Sequence, residues 1–389
     1  MSAEEAAAKL NISVSTLYTY VSRKQLRVVK LQGTRASQYL RDDIEALSAS
    51  GTVGALERGV PGVTSSTITL VSDVACYYRG VSTATLAKTA TLEEVARLLW
   101  ETGEDDPFTR PTRRQDELTS QLLAGASSLS PSDRLAIVLL GLEASNPHAY
   151  TPREQSFHDA CVEILRWTVA LAVGGCAPVP GSAHEAIGKR FSCDAAFTDV
   201  IRRVLVLSAD QALEPSTFAV RAAANTGATP YKCVVVGLAA ASGTRLPSVR
   251  ASAFSRFIAE IDKAEDPTEP VRTRLREGEA LPGFGYSPAH TGGLDSRSDT
   301  LLANLRSALS NDPRFVRFDQ AIALGTDITG RHPDFALLSA WVGQMIGLEP
   351  QLGLIRIGRI VGWLAHAREQ QRNPLYRWKT TYKGRLPSD

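Results

Sequence analysis

Near the end of the chain, residues Gly358–Gln370 read GRIVGWLAHAREQ. The run is a helical pattern of small and apolar residues. Arg359 stands near its start, and His366 lies two turns later on the same face. Arginine presents a planar fork of donors that fits a carboxylate, whether of a ligand or of the protein itself. An ion pair at the surface or in a subunit interface is the alternative use of the same side chain.

A second run, His332–Ala340, reads HPDFALLSA. Together with Gly358–Gln370 it resembles the citrate synthase family. In that family the C-terminal signature carries an arginine that clamps a dicarboxylate, and an Asn-x-Asp-Phe stretch carries the catalytic aspartate. Arg359 and Asp334 stand at those positions. From the residues alone, Asp334 is predicted to be the N-cap of a helix over Phe335–Ile346, and the two roles are compatible.

Two further arginines match the family pattern. Arg377, in Tyr376–Gly384 (YRWKTTYKG), is similar to the arginine of the family's Arg-Pro-x-x-x-Tyr-x-Gly, with Trp378 in place of the proline. Arg297 is similar to the arginine of the family's Asp-Pro-Arg. The resemblance implies that these two arginines and Arg359 hold substrate carboxylates, and that Arg377 reaches the partner subunit's site in a homodimer. For each of them, a surface or interface ion pair is the alternative.

Three histidine positions of the family carry other residues here. The family reads Ala-Asp-His-Glu-x-Asn before Ser-Thr, whereas residues 209–217 read ADQALEPST, with Gln211 at the histidine position. Leu246 stands where the family has the enol-stabilising histidine, and Tyr286 stands where it has the histidine that polarises the oxo acid's carbonyl. Gln211 and Tyr286 can still donate hydrogen bonds and are predicted to act with Asp334 in catalysis, but Leu246 cannot donate.

These substitutions bear directly on the reaction that the resemblance implies. A thioester methyl loses a proton and the enol attacks a 2-oxo acid, which requires a base, a donor to the enol oxygen and cationic groups. Loss of one such donor costs about 3–4 kcal/mol, on the order of 10²–10³ in rate. We therefore expect turnover to be strongly reduced or absent, unless His290 or Arg245 replaces the missing donor.

Residues 1–50 have the pattern of a separate small unit. An alanine-rich helix is predicted over Ser2–Leu10, and a second helix runs to about Ser22. Arg27–Leu31 and Ser37–Leu40 alternate as a β-hairpin. Helix, turn, helix and hairpin form a winged helix-turn-helix, which resembles the DNA-binding domain of the MerR and excisionase type.

Charge supports DNA contact through residues 13–41, which contain six basic residues and no acidic one. Lysine and arginine attract phosphates, and hydroxyl side chains on a helix reach phosphates and base edges. The predicted DNA contacts are Ser15, Thr16, Tyr18, Thr19, Arg23 and Lys24. A small packing domain with a solvated basic face is the alternative.

Between the N-terminal unit and the signature run, helical patterns dominate. Thr69–Gly80 is predicted to form strands and a turn. Thr91 and Glu94 have the spacing of a capping box. His158–Leu171 is predicted to be an amphipathic helix, and the apolar segment Ile164–Val179, which carries Arg166 and two glycines, is predicted to be a buried helix.

Bulk composition narrows the class of protein. The chain has 389 residues and a net charge of +2, which gives no overall bias toward nucleic acid or membrane. Its five cysteines form no CxxC pair, so neither a disulfide framework nor a zinc site is expected. Glu4 and Glu5 stand where a signal peptide would be basic or apolar. We expect a cytoplasmic protein without a membrane span.

The resemblance implies a mainly α fold of the citrate synthase type, with a large and a small domain, preceded by the winged helix-turn-helix. The predicted boundaries are 1–50 for the winged helix-turn-helix, 51–66 for a linker and 67–389 for the citrate synthase-like domain, of which about 67–247 and 341–389 form the large domain and about 248–340 the small one.

Two functions from different classes remain open. One is an acyltransferase of the tricarboxylic acid cycle type that condenses acetyl-CoA, or another acyl-CoA, with oxaloacetate or a related 2-oxo acid. The other is a catalytically silent domain that senses a dicarboxylate or an acyl-CoA and is fused to a DNA-binding module. In either case the acyl-CoA is a substrate or effector, and no permanently bound cofactor is expected.

Overall fold

The structure is a computed structural model of the chain. It describes residues 2–10, 14, 17–18, 28–30, 37–39, 44, 66–71, 75–113, 115–212, 214–243, 247–284 and 295–374. These residues fall in two compact units, one holding the described residues up to Ile44 and one spanning Ser66–Pro374. The predicted limits of the linker and of the large and small domains stay predictions.

The first unit contains one described helix and one hairpin. Helix α1 (Ala3–Leu10) is followed by the antiparallel strands β1 (Val28–Lys30) and β2 (Ser37–Tyr39), with Val29 opposite Gln38. The strands lie within the two predicted ranges. A small apolar core consists of Ala6, Ala7, Leu17, Tyr39 and Ile44.

The second unit begins with a small sheet and continues as helices. The sheet is antiparallel and consists of β3 (Thr69–Val71), β4 (Cys76–Tyr78) and β5 (Val81–Ser82). The helices are α2 (Thr83–Thr89), α3 (Leu92–Trp100), α4 (Glu117–Gly125), α5 (Pro131–Ala144), α6 (Glu154–Ala172), α7 (Ala183–Arg190), α8 (Ala195–Leu207), α9 (Pro215–Asn225), α10 (Pro230–Ala241), α11 (Pro247–Lys263), α12 (Glu269–Arg276), α13 (Ser296–Ala308), α14 (Pro313–Thr329), α15 (Phe335–Met345) and α16 (Leu354–Arg372). The predicted mainly α fold class is confirmed.

Local capping explains why several of these helices begin where they do. The Thr91 hydroxyl accepts from the Glu94 amide while the Glu94 carboxylate accepts from the Thr91 amide, so the predicted capping box at the start of α3 is confirmed. Ser130 and Asp312 accept from main-chain amides at the starts of α5 and α14. Each of these side chains satisfies donors that a helix N-terminus otherwise leaves without partners. Among the helices of the described residues, none has both the length and the apolar character that a bilayer crossing requires.

Helix α16, which contains the GRIVGWLAHAREQ run, lies at the centre of the second unit and packs against α3, α6, α8, α9, α10 and α15. Its glycines make close approach possible. A Cβ atom on Gly358 would lie 2.6 Å from Cβ of Ser208 and 2.7 Å from the carbonyl oxygen of Leu205. A Cβ atom on Gly362 would lie 2.9 Å from Cβ of Asp210. The small residues of the run therefore bring Arg359, between them, against the segment that follows α8.

Helix α6 differs from the prediction for His158–Leu171. It is buried on nearly all sides rather than amphipathic. Its charged side chains bond inward: Arg166 donates to the carbonyl of Phe108 at 2.6 Å, and Glu163 accepts from Arg113 at 2.9 Å. The amphipathic prediction is wrong because these polar groups have partners inside the protein. The predicted buried helix over Ile164–Val179 is confirmed as far as Ala172, where α6 ends.

Candidate functional site

A cavity of about 490 Å³ lies within the second unit. Its lining includes four of the residues that the sequence singles out: Gln211, Arg297, Asp334 and Arg359. They come from separate parts of the chain, namely the segment after α8, the first turn of α13, the residue before α15 and the middle of α16. Folding therefore gathers one carboxylate, one amide and two guanidinium groups around a single space.

Arg359 is almost fully buried and is held by three groups. Its Nη1 donates to Oδ1 of Asp210 at 3.0 Å, and its Nη2 donates to the hydroxyl of Thr217 at 3.0 Å. The same Nη2 lies 3.0 Å from Oε1 of Glu214. The ion pairs of Arg359 thus lie inside the protein at the cavity wall, not at the exposed surface that the alternative expected.

Asp210 joins Arg359 to a longer buried chain of polar groups. Its Oδ2 lies 3.2 Å from Nε2 of His366, whose Nδ1 lies 3.2 Å from a guanidinium nitrogen of Arg221. Arg221 in turn donates to Glu369. Burial by itself would raise the pKa of Asp210, but His366 and Arg359 outweigh it and hold this pKa well below its usual range. Asp210 is therefore an anion in the folded protein and forms a buried ion pair with the guanidinium of Arg359.

Asp334 has the position that the sequence predicts, at the N-cap of α15. Its Oδ1 accepts from the amide of Leu337 at 2.8 Å, and its own amide donates to the carbonyl of Gly283 at 2.7 Å. Gly283 has φ +78°, and a Cβ atom there would lie 2.5 Å from Cβ of Leu337. The hydroxyl of Ser298 donates to the carbonyl of Pro333 at 2.5 Å. The backbone on both sides of the carboxylate is therefore anchored, and the helix N-terminus favours its negative charge.

Arg297 is buried and bonded to a near neighbour. Its Nε and Nη2 donate to the two oxygens of Asp295 at 3.0 and 2.8 Å, which is a bidentate pair. Its guanidinium carbon also lies 5.0 Å from the ring centroid of Phe335. Burial alone would lower the pKa of Arg297, but Asp295 outweighs it and raises that pKa above its usual value. Arg297 is therefore a fixed cation beside the residue that follows Asp334.

Gln211 lies in a tight turn between α8 and α9. The next residue, Ala212, has φ +55°, a left-handed conformation that is rare outside glycine. The amide of Ala212 donates to Oδ2 of Asp210 at 3.0 Å, which holds the turn in place. Such local strain is often found at functional sites. It leaves both Gln211 and Glu214 in the cavity lining.

Four charged residues of the lining received no role from the sequence, namely Glu214, Asp295, Glu349 and Arg356. Glu214 stands in the quoted run 209–217, but its contact with Arg359 joins residues far apart in the chain. Arg356 precedes Arg359 by three residues on α16, so the i, i+3 spacing was a signal that the two share a face. Arg356 donates to the carbonyl of Ala241 at 3.1 Å.

Several predicted site residues lie outside the described part of the chain. They are Tyr286 and Arg377, the positions Arg245, Leu246 and His290, and the DNA-contact candidates Ser15, Thr16, Thr19, Arg23 and Lys24. Tyr18 is described, and its side chain is half exposed. Within the described ranges no three His, Cys, Asp or Glu side chains gather as a metal site would require.

Comparison with known families gives two matches that together cover most of the chain. Residues 56–379 match the family described as "Citrate synthase, C-terminal domain", and residues 1–51 match the family described as "Helix-turn-helix domain". Individual relatives are more distant. A citrate synthase of Haloferax volcanii is 26% identical over 374 residues, covering 86% of this chain and 98% of the relative. Citrate synthase 2 of Bacillus subtilis is 23% identical and covers 84% and 95% of the two chains.

Solved structures show the same fold. The crystal structure of a citrate synthase from Thermotoga maritima superposes with a TM-score of 0.64 at 22% identity, covering 86% of this chain and 97% of that one. A Thermoplasma acidophilum citrate synthase in ternary complex with carboxymethyl coenzyme A and oxaloacetate gives 0.66 at 18% identity, with coverage of 86% and 97%. Because the family match extends over far more than half of its length, this chain belongs to the citrate synthase family.

Proposed function

We propose that this protein catalyses a Claisen-type condensation of acetyl-CoA, or another acyl-CoA, with oxaloacetate or a related 2-oxo acid. The observation that carries the proposal is the single cavity that brings together Asp334, Gln211, Arg297 and Arg359. The citrate synthases among its relatives support the reaction type, as does the ternary complex of one of them with a coenzyme A derivative and oxaloacetate.

Asp334 is the proposed base that takes a proton from the thioester methyl. Its main chain is anchored on both sides and its carboxylate stands at a helix N-terminus, so the group is held in place and favoured as an anion. Gln211 is a proposed hydrogen-bond donor to the oxo acid, and Tyr286 would share that role. Both assignments rest on the family positions of these residues.

Arg297, Arg359 and Arg377 are the proposed cations for substrate carboxylates. Arg297 and Arg359 are fixed by internal carboxylates, so each presents its guanidinium in a set orientation and loses little entropy when a ligand binds. Arg377 is proposed to reach the site of the partner subunit in a homodimer.

We further propose that turnover is slow or directed to altered substrates. The three positions at which the family has histidine hold Gln211, Leu246 and Tyr286, and the leucine has no donor for the enol oxygen. Without such a donor, the rate falls on the order of 10²–10³.

The direct test is release of free thiol from acetyl-CoA, and from propionyl-CoA, in the presence of oxaloacetate. We expect slow release that the Asp334→Asn variant reduces by about 10²–10⁴, since the base is lost while the capping oxygen remains. Release that persists at the wild-type rate in this variant would remove Asp334 from the mechanism. No release in the wild type with either acyl-CoA would refute condensation onto oxaloacetate, and no release with other 2-oxo acids as well would refute the condensation itself.

A separate experiment tests whether Arg377 completes the site of the partner subunit. Asp334→Asn and Arg377→Ala subunits, each inactive alone, are mixed under conditions that exchange subunits. If Arg377 serves the partner's site, half of the dimers are mixed and each has one intact site, so about a quarter of the wild-type activity returns. Recovery of no activity would place Arg377 in its own subunit's site, and full activity of Arg377→Ala alone would place it outside any site.

The second candidate is a transcriptional regulator in which the synthase domain is a sensor. The observation that favours it is the helix-turn-helix match at residues 1–51, together with six basic and no acidic residues in 13–41. In this candidate, oxaloacetate, citrate or an acyl-CoA would change the spacing of two DNA readers in a dimer.

Mobility-shift assays on the DNA upstream of the coding sequence test the regulator. Binding that weakens with salt and is lost in Arg23→Ala/Lys24→Ala would support phosphate contacts through the predicted helix. Binding that ignores both salt and this double substitution would contradict them.

A further inference from the structure

We propose that Glu214 determines specificity: its carboxylate fills the place beside Arg359 that a second ligand carboxylate would take, so the site prefers a 2-oxo acid with one carboxylate over a dicarboxylic one. This inference rests on the proposed function and names the class of acceptor for it. It revises one part of that function, because Arg359 then pairs with Glu214 and not with a second substrate carboxylate.

The carboxylate of Glu214 bonds away from the helix that its residue begins. Glu214 occupies the N-cap of α9 yet makes no capping hydrogen bond there. Its Oε1 instead lies 3.0 Å from Nη2 of Arg359 and accepts from the hydroxyl of Ser216. Ser216 in turn accepts from Nε1 of Trp363 at 3.0 Å. The carboxylate is thus turned away from its own helix and held against the arginine.

Glu214 is also placed to meet a ligand. It lines the cavity, and its side chain retains 20% of its surface exposure, whereas Asp210, the other carboxylate on Arg359, is fully buried. Burial by itself would raise the pKa of Glu214, but Arg359 and the Ser216 hydroxyl outweigh it and lower that pKa. The group is therefore an anion at neutral pH, at the wall of the cavity.

The charge of Glu214 acts on a second arginine as well. Arg356 lines the same cavity, and burial lowers its pKa. The negative charge of Glu214 acts in the opposite direction and raises that pKa. With Asp210 and Glu214 both on Arg359, this guanidinium faces two anions before any ligand enters. A further carboxylate at this point would be repelled by Glu214 or would have to displace it.

One ligand carboxylate still has a partner in the lining. Asp295 engages Nε and Nη2 of Arg297, and within the described residues Nη1 of Arg297 makes no hydrogen bond. The 1-carboxylate that every 2-oxo acid has can bind there. The family pattern has asparagine at the position of Glu214, which is neutral, so the added charge belongs to this chain.

The test uses two acids that differ in one group. Carbon 4 is a carboxylate in oxaloacetate and a methyl group in 2-oxobutyrate. Dissociation constants of both are measured by titration calorimetry on full-length wild type and on Glu214→Gln, which keeps the acceptor oxygen and removes the charge. We expect wild type to bind 2-oxobutyrate at least as tightly as oxaloacetate. We expect the variant to bind oxaloacetate on the order of tenfold more tightly, with 2-oxobutyrate changed by less than about threefold.

A matched control separates this effect from a general loss of negative charge. Glu349→Gln removes another carboxylate from the same lining, at an exposed position, and is expected to change the ratio of the two dissociation constants by less than about twofold. Glu214→Asn is a second variant in case Glu214→Gln does not fold, as judged by its thermal transition. Both should shift the ratio in the same direction.

The proposal is overturned if Glu214→Gln leaves the ratio unchanged, if it weakens oxaloacetate binding, or if neither acid binds to either protein. Failure of the condensation is seen separately. Absence of thiol release with every acyl-CoA and both acids would refute the proposed reaction, while the binding ratio would still decide the role of Glu214.

Discussion

The two arginines of the cavity are held in different ways. Arg297 is paired with Asp295 through a bidentate contact. The two residues are only two positions apart, so this pair needs no other part of the chain. Arg359 is paired with Asp210, 149 residues away, and with Glu214, so its surroundings form only when α8, α9 and α16 have packed together.

This difference separates a local arrangement from a cooperative one. The pair at Arg297 depends on the start of α13, where Asp295 also caps the helix. The group at Arg359 depends on the whole core, because Asp210 also contacts His366 and the hydroxyl of Thr69. We therefore expect changes at Arg359 to affect global stability more than equivalent changes at Arg297.

The largest effect on stability is expected when the carboxylate that pairs with an arginine is neutralised. Asp210→Asn leaves Arg359 without its fully buried counter-ion and should lower the free energy of unfolding by about 3–5 kcal/mol. Asp295→Asn can still cap α13 and should cost about 1–3 kcal/mol. Urea denaturation at neutral pH measures both. Equal losses would contradict the contrast between a local and a cooperative arrangement.

The difference in stability between wild type and Asp210→Asn is expected to depend on pH. The pKa of Asp210 is lower in the folded state than its unfolded value of about 3.9, so its contribution to stability is complete above roughly pH 5 and is lost as the pH falls below that. The stability difference between wild type and Asp210→Asn should therefore shrink between about pH 5 and pH 3. A difference that grows in this range would mean that the carboxylate is protonated in the folded protein.

A smaller loss of stability is expected when the close contact between α16 and the end of α8, which positions Arg359, is disturbed. Gly358→Ala places a methyl group 2.6 Å from Cβ of Ser208, so α16 must shift, at a cost of about 1–3 kcal/mol. Gly343→Ala on α15 is the matched control, since no atom lies within 4 Å of its added methyl group. The control should be neutral or up to about 1 kcal/mol stabilising, because alanine favours helix. Equal thermal transitions for the two variants would show that α16 does not need its glycine.

The smallest effect concerns the anchoring of Asp334, near Arg297. Ser298→Ala removes the hydroxyl that donates to the carbonyl of Pro333 and should cost about 1 kcal/mol in the free energy of unfolding. Ser298→Thr keeps the hydroxyl and serves as the control. A loss as large as that of Asp210→Asn would show that this part of the site is also cooperative.

The sequence predicts the family, the mainly helical fold and the positions that meet at the cavity, because motifs near Arg359, Asp334 and Arg297 lie on short stretches. It does not predict what holds them. Asp210 and Glu214 stand within a quoted run, but their contacts with Arg359 depend on how α16 crosses that run, and no local pattern states this. The burial of α6 is predicted only from Ile164 onward. Its earlier turns escaped prediction for the same reason, since the inward ion pair of Glu163 resembles an exposed polar face in sequence.

One contact at the start of the second unit has a practical consequence. The amide and the hydroxyl of Thr67 both donate to Oε1 of Glu369, on the helix that carries Arg359. A fragment that begins at Ser66 retains this fastening, whereas one that begins at Thr69 leaves Glu369 to Arg221, which His366 already shares. Thr67 therefore clamps the first residues of the second unit to α16, and a truncation that removes it should loosen that helix.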